Sequence, residues 1–287
     1  MDFTNAQGLL KICKDKRISI SKAMINREVE IIMAQEKEVI EKLAYTFQIM
    51  KEAINKALTQ KIVSMGGLIG GEAIKINARR INSDPVCGKI ISKAISYAMG
   101  VLEVNSSMGL IVAAPTAGSS GVIPGVFVAI QEEYGCSDEE MVDALLNAGA
   151  IGYLITRNAT VSGAEGGCQA EVGSASAMAA SAITQIMGGT PEQCLSAAST
   201  AIINTLGLIC DPIAGLVEAP CQKRNAMGAS NALISSEISL CGIMSIIPFD
   251  EVISTMYNVG KSLPRELRET ALGGIAATPT ACKMCIR

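Results

Sequence analysis

The chain has 287 residues, of which 49% are apolar but only 3% aromatic, and it contains no tryptophan. This length allows one or two domains, and the prevalence of small aliphatic residues favours closely packed helices over a β-sandwich or barrel. The net charge of −3 offers no basic surface for nucleic acid. Because there is no histidine, Ser-His-Asp and Cys-His catalysis and histidine-ligated metals are excluded within this chain.

The ten cysteines bear on the compartment of the protein. The N-terminal sequence MDFTNAQGLLKICKDKR has no apolar run long enough for a signal peptide. We therefore expect reduced thiols in a cytoplasmic protein rather than a disulfide framework. Residues 104–131 and 172–191 carry no charge and are long enough to span a bilayer. Both are rich in small and hydroxyl residues and lack flanking aromatic belts, so we expect buried helices and no membrane span.

The first sixty residues show helical periodicity. Residues 4–16 form a short amphipathic piece, and a longer pattern begins at Ser19 or Ser21. We interpret this pattern as one long surface helix with a charged outer face and a single buried stripe. The stripe consists of Ile25, Val29, Ile32, Val39, Leu43, Phe47, Met50, Ile54 and Leu58.

Later segments alternate helix signals with breaks. The run SMGGLIGG at 64–71 predicts a tight turn between helices or a cradle for an anion. Helical patterns follow at 90–101 and after Pro248 and Pro264, and capping boxes begin at Ser137 and Thr190. No convincing strand pattern occurs. We predict an all-α, bundle-like single catalytic domain over 61–287, preceded by an N-terminal helical segment over 1–60.

One loop has the composition of a substrate-binding loop. PTAGSSG at 115–121 places Thr116, Ser119 and Ser120 between apolar runs, where hydroxyl and backbone N–H groups can donate to a carboxylate. An ordinary loop is the alternative. The basic pair Lys223 and Arg224 is a competing carboxylate site.

Three cysteines interrupt apolar, small-residue segments at glycine or proline. Cys168 follows two glycines, Cys210 precedes Asp-Pro, and Cys221 follows a proline. Glycine and proline end helices or bend the backbone beside the sulfur, which leaves the thiol able to point at a ligand. Our hypothesis is that these three cysteines hold an iron–sulfur cluster. Cys13, Cys194 and Cys241, in contrast, lie in apolar helical patterns typical of core residues.

The motifs PTAGSSG, SGAEGGCQAEVGSASAMAA, GLICDPIAGLVE and PCQKRNAMGA occur in this order, and with them the chain resembles the α subunit of bacterial iron–sulfur-dependent L-serine dehydratases. The resemblance covers nearly the whole chain. It implies an oxygen-sensitive 4Fe–4S enzyme that converts L-serine to pyruvate and ammonia without pyridoxal phosphate. It also implies Cys168, Cys210 and Cys221 as the ligands. Three thiolates leave one iron open as a Lewis acid for the serine hydroxyl.

The resemblance further implies a partner. In this family a separate domain or β subunit contributes a Ser-Ser-His-Thr segment, and nothing like it occurs here. We therefore expect a heteromer with a β subunit, docked on the early long helix unless that helix packs on its own domain. Some relatives also cap the open iron with a terminal cysteine. Here Cys282 and Cys285 lie near the end but neither is terminal, so ligation by the tail is a secondary hypothesis.

Two other functions fit the same residues. One is a related cluster-dependent lyase that acts on threonine or cysteine, since an apolar pocket separates substrates differing by one methyl by only about 1–3 kcal/mol. The other is a non-catalytic iron–sulfur or helical scaffold protein.

Overall fold

The computed structural model describes residues 2–284, so the candidate tail ligand Cys285 lies outside the described residues. Within this range the regular elements are helices, and the single β-type pairing joins Cys210 to Arg268. The all-α prediction is therefore confirmed. The helices are α1 Ala6–Lys16, α2 Ile20–Glu30, α3 Glu36–Thr59, α4 Glu72–Asn82, α5 Gly88–Ser106, α6 Val122–Tyr134, α7 Asp138–Asn158, α8 Gly163–Gly166, α9 Ser174–Ile186, α10 Pro191–Ile203, α11 Cys221–Leu240, α12 Phe249–Ser262 and α13 Pro279–Met284.

Helices α5 and α9 form the centre of the bundle. Helix α9 packs against α7, α10 and α11, while α5 packs against α3, α4, α6 and α11. Small residues allow the close approach: a Cβ at Gly125 of α6 would lie 2.8 Å from the Ala94 carbonyl oxygen of α5. On α11, a Cβ at Gly228 would lie 2.6 Å from a Val172 methyl. The low aromatic content thus reflects helices packed almost backbone to backbone.

The single long helix predicted after Ser19 is wrong. The structure has two helices, α2 and α3, separated by residues 31–35, in which Met33 takes a left-handed φ of 61°. The apolar pattern continues across the break, but Ile31 and Ile32 are exposed. Helix α2 packs mainly on α7, whereas α3 packs mainly on α5. The two halves of the stripe therefore bury against different neighbours, which one straight helix could not reach.

The N-terminal helices contribute to the main core. Phe3, Leu9 and Ile20 are buried in the same apolar cluster as residues of α5 to α12. The division into a segment 1–60 and a domain 61–287 stays a prediction. In the described part of the chain, no helix has both the length and the apolar character that crossing a bilayer demands.

Candidate active site

Cys168 lies at an irregular junction between two helices. The preceding Gly167 has φ 76°, and a Cβ there would lie 2.8 Å from the Leu208 carbonyl oxygen, so glycine is required. A π-helical turn over Gln169–Gly173 follows and leads into α9. The Gln169 side-chain amide donates to the backbone carbonyls of Gly166 and Met256 at 2.9 and 3.1 Å. This anchoring fixes the turn and leaves the Cys168 side chain buried.

Cys210 lies in an extended segment paired with residues near the C-terminus. Its backbone N–H donates to the Leu267 carbonyl at 2.9 Å, and the Glu269 N–H donates to the Cys210 carbonyl at 2.7 Å. Glu269 has a left-handed φ of 63°. The pairing holds residues 267–269 beside the buried thiol of Cys210.

Cys221 is the first residue of α11 and is buried. Three residues earlier, Glu218 accepts hydrogen bonds from the Ser64 hydroxyl at 2.6 Å and from the N–H groups of Gly66 and Leu68 at 2.6 and 3.0 Å. The glycine-rich run at 64–71 therefore cradles an anion, as one of the two sequence interpretations expected. The anion is the Glu218 carboxylate, so this loop anchors the chain that leads into Cys221.

The three thiols are electrostatic neighbours. Burial raises the pKa of Cys168 and of Cys221 each to about 12, and it raises the pKa of Cys210 still further. The charges of Cys168 and Cys221 add to the increase at Cys210. At neutral pH the thiols are therefore protonated, and any metal that binds them must displace protons.

Glu171 is a site residue that the sequence analysis missed. Its Oε1 accepts a hydrogen bond from the Thr116 hydroxyl at 2.7 Å, and its Oε2 lies 4.0 Å from the Cys210 sulfur. Burial raises the pKa of this carboxyl, the Thr116 hydrogen bond lowers it, and Glu269 raises it. One signal was present: Glu171 is the only charged residue between Glu165 and Glu192.

The predicted substrate-binding loop lies against Glu171. Residues Ala117–Ser119 form a 3-10 turn, and Asn225 of α11 holds the loop by accepting from the Gly121 N–H at 3.0 Å and donating to the Gly118 carbonyl at 2.7 Å. Of the three hydroxyls, that of Thr116 reaches the site.

The other two hydroxyls of the loop point into the interior. The Ser119 and Ser120 side chains are fully buried, and the Ser120 hydroxyl has no hydrogen-bond partner within residues 2–284. Binding of a substrate carboxylate by Thr116, Ser119 and Ser120 stays a prediction.

Arg224 connects the segments that carry the cysteines. Its guanidinium donates to the Ile209 carbonyl at 2.8 Å and to Asp211 Oδ1 at 2.7 Å. Asp211 is buried, and its second oxygen accepts from the Ile275 N–H at 2.7 Å. The positive charge of Arg224 also lowers the pKa of Cys168 and of Cys221. Arg224 is thus engaged by protein groups, and its predicted role as a substrate ligand stays a prediction.

The C-terminal segment reaches the edge of this region. Helix α13 packs against the turn at 213–215. Cys282 is exposed, and its sulfur lies 4.0 Å from the Ala276 carbonyl oxygen. Its proposed ligation stays a prediction.

The donor set fits an iron–sulfur cluster. Three buried, neighbouring thiols of this kind are what such clusters use. A Cβ at Gly163 would lie 3.2 Å from the Cys210 sulfur, so the absence of a side chain keeps room beside that thiol. No three His, Cys, Asp or Glu side chains in the described chain are grouped to hold a single metal ion. A cluster does not need such convergence, because each cysteine ligates a different iron.

Known proteins match this chain along nearly all its length. A family model described as "Serine dehydratase alpha chain" matches residues 15–276. The "Probable L-serine dehydratase, alpha chain" of Bacillus subtilis is 48% identical over 97% of this chain and 92% of that protein. The "L-serine dehydratase, alpha chain" of Peptoniphilus asaccharolyticus is 44% identical over 98% of this chain and 97% of that protein.

A longer relative matches equally far along this chain. The "L-serine dehydratase" of Streptomyces coelicolor is 37% identical over 98% of this chain but only 62% of its own length. Cys168, Cys210, Cys221 and the loops at 64–71 and 115–121 all fall within the matched residues 15–276. The chain belongs to the serine dehydratase alpha chain family.

Proposed function

We propose that this chain is the alpha subunit of an L-serine dehydratase, a lyase that converts L-serine to pyruvate and ammonia. The observation that carries the proposal is the set of three buried, neighbouring cysteines in a chain of this family. The names of the Bacillus and Peptoniphilus relatives agree with it. Without histidine in the chain, a metal cofactor is the most direct means of activating the poor hydroxide leaving group.

The proposed cofactor is a 4Fe–4S cluster held by Cys168, Cys210 and Cys221. When bound with three thiolates, it would supply an iron with an open position that acts as a Lewis acid on the serine hydroxyl. Arg224 has a positioning role, because it ties the Cys210 segment to α11, which begins with Cys221. Its positive charge also favours the thiolate forms of Cys168 and Cys221.

The loop 115–121 binds the substrate carboxylate in this proposal. Thr116 lies beside Glu171 and therefore beside Cys210. The Ser120 hydroxyl is buried without a hydrogen-bond partner among residues 2–284, so it retains a free donor for this role. A charge-assisted hydrogen bond of this kind contributes about 1.5–3 kcal/mol.

A second polypeptide completes the proposed enzyme. Two relatives covered over more than nine-tenths of their length are named alpha chains, which implies a further chain in those enzymes. Removal of the serine α-proton needs a positioned base, and histidine, the commonest one, is absent here. We propose that a β subunit supplies the missing group. Location in the cytoplasm stays a prediction.

The test is an anaerobic reconstitution of the purified chain with its partner. Iron and sulfide per chain are measured, and the cluster spectrum is recorded with and without L-serine before pyruvate formation is assayed. L-threonine and L-cysteine are assayed in parallel to detect a different substrate preference. A spectrum unchanged by L-serine together with no pyruvate would contradict the proposal and favour a scaffold protein.

A further inference from the structure

The Glu171 carboxylate is partly buried in the site. No lysine or arginine of residues 2–284 forms an ion pair with it, although Arg224 of the same region is paired with Asp211. Its hydrogen-bond partners are the Thr116 hydroxyl and the weakly donating Cys210 thiol. A carboxylate that has lost part of its hydration and has no counter-charge favours a ligand that brings a positive charge.

The Glu171 carboxylate lies very close to the backbone of two glycines. A Cβ at Gly118 would lie 2.9 Å from Oε1, and a Cβ at Gly163 would lie 2.5 Å from Oε2. Neither glycine has a positive φ, so the backbone alone does not demand glycine at these positions. The Glu171 carboxylate instead packs directly against the backbone of these two glycines, which fixes its position between the loop and Cys210.

An α-amino acid has the matching arrangement of charges. Its ammonium and carboxylate groups are attached to the same carbon, so groups that bind them must lie side by side. Thr116 belongs to the loop proposed to bind the carboxylate, and its hydroxyl is 2.7 Å from Glu171. We infer that Glu171 receives the α-ammonium group of the substrate and thereby makes the site selective for amino acids over their deaminated analogues.

This inference rests on the proposed function and adds a specificity-determining residue to it. Nothing in the proposed dehydration requires the ammonium group to be bound by this chain rather than by a partner. A cation at Glu171 therefore meets a carboxylate to which no lysine or arginine of the described chain is ion-paired.

The experiment compares two ligands that differ at the ammonium group. Glycine keeps the ammonium and carboxylate groups of serine, whereas acetate is glycine without its amino group. Their dissociation constants are measured by calorimetry on the anaerobically reconstituted protein with its partner. The variants are Glu171→Gln, which removes the charge at constant shape, and Glu165→Gln, a control at an exposed glutamate six residues earlier.

For the wild type we expect glycine to compete with L-serine and acetate to bind more weakly than glycine. Glu171→Gln should weaken the binding of glycine by roughly 10–100-fold, the range that a charge-assisted hydrogen bond carries, with the binding of acetate nearly unchanged. Glu165→Gln should leave both constants at their wild-type values. Equal weakening of the two ligands, or no weakening of glycine, would overturn the inference, because a merely structural glutamate has no reason to discriminate between them.

A second variant covers the case in which Glu171→Gln fails to fold. Glu171→Asp keeps the charge but withdraws it by one methylene, so glycine should bind less tightly while remaining preferred over acetate. A wild-type protein without preference for glycine would overturn the inference on its own. Failure of the proposed function is a separate result: ligand selectivity would persist while no pyruvate forms from L-serine.

Discussion

At the residue scale, the chain contains buried cysteines of two kinds. Cys241, which was expected in the core, is instead exposed, because it lies at the C-terminal end of α11. Cys194 lies within α10, and burial raises its pKa to about 12, as it does for Cys168. Its neighbours are Asn147, Ser181 and Cys13, however, and not a cluster of thiols. A raised thiol pKa therefore does not identify a ligand. What separates Cys168 from Cys194 is its position at a helix junction beside two other cysteines and Arg224.

This difference leads to a prediction about iron retention. Cys168→Ala, Cys210→Ala and Cys221→Ala should each lose most of the bound iron, because each removes one of the three thiolates that would hold the cluster. Cys194→Ala and Cys13→Ala are matched controls with buried thiols elsewhere and should retain it. Iron per chain after anaerobic purification is the measurement. Normal iron in any of the first three variants would contradict the ligand assignment.

The glycines around Glu171 give a second prediction. Gly163→Ala would place a Cβ 2.5 Å from the Glu171 carboxylate, so the carboxylate must move aside. We expect KM for L-serine to rise by about tenfold or more, which corresponds to a loss of about 1.4 kcal/mol. The unfolding midpoint should change little, because the helical backbone accepts alanine.

Gly149→Ala is the control for that variant. Gly149 lies in α7, and an added Cβ would meet nothing within 4 Å. Alanine there should stabilise the protein by roughly 0.5–1 kcal/mol without any change in KM. An unchanged KM in Gly163→Ala would show that the site has more room beside Glu171 than the structure indicates.

At the element scale, Glu218 couples the 64–71 loop to the start of α11. Glu218→Ala would leave the Ser64 hydroxyl and two backbone N–H groups without their acceptor. Each buried donor left unsatisfied costs about 1–3 kcal/mol, so the free energy of unfolding should fall by several kcal/mol. Glu218→Gln retains one acceptor oxygen, so its free energy of unfolding should fall less. Urea denaturation measures the free energy of unfolding of both variants. An equal decrease in the two would contradict the role of Glu218 as the acceptor for the 64–71 loop.

The same scale shows which elements sequence patterns can predict. The capping boxes at Ser137 and Thr190 were predicted from four-residue motifs, and both form, with α7 and α10 beginning one residue later. The break at 31–35 was missed, because no glycine or proline marks it and its apolar residues maintain the helical period. What ends α2 is the different packing partner of α3, and a local pattern does not contain that information.

The features of the site also differ in whether sequence patterns predict them. The cysteines and the 115–121 loop were predictable, because glycine and proline beside them signal irregular backbone. Glu171 was missed, because its role depends on Thr116 and Cys210, which lie 55 and 39 positions away along the chain. The pairing of Cys210 with residues 267–269 was missed for the same reason: it is a long-range contact without an alternating strand pattern.

At the scale of the whole molecule, the elements bring together positions from most of the chain. The three cysteines, the 115–121 loop and residues 267–269 come from segments separated by up to about 150 residues, and central helices α5, α9 and α11 bring them to one region. All these segments belong to this chain, but the chain contains no histidine, the residue that most commonly serves as a base. The longer Streptomyces coelicolor relative matches this chain over only 62% of its own length. That relative therefore has a large part of its length outside the matched region.

We therefore predict that the isolated chain binds the cluster but turns over L-serine poorly. A positioned base is typically worth 10²–10⁴-fold in rate, so pyruvate formation should fall by about that factor relative to the assembled enzyme. The measurement is the rate per cluster, with and without the partner, after anaerobic reconstitution. The assembled enzyme, carried through the same reconstitution, controls for damage to the cluster. Full turnover by the isolated chain would contradict the prediction and would make the carboxylates Glu171 and Glu269 the first candidates for the base.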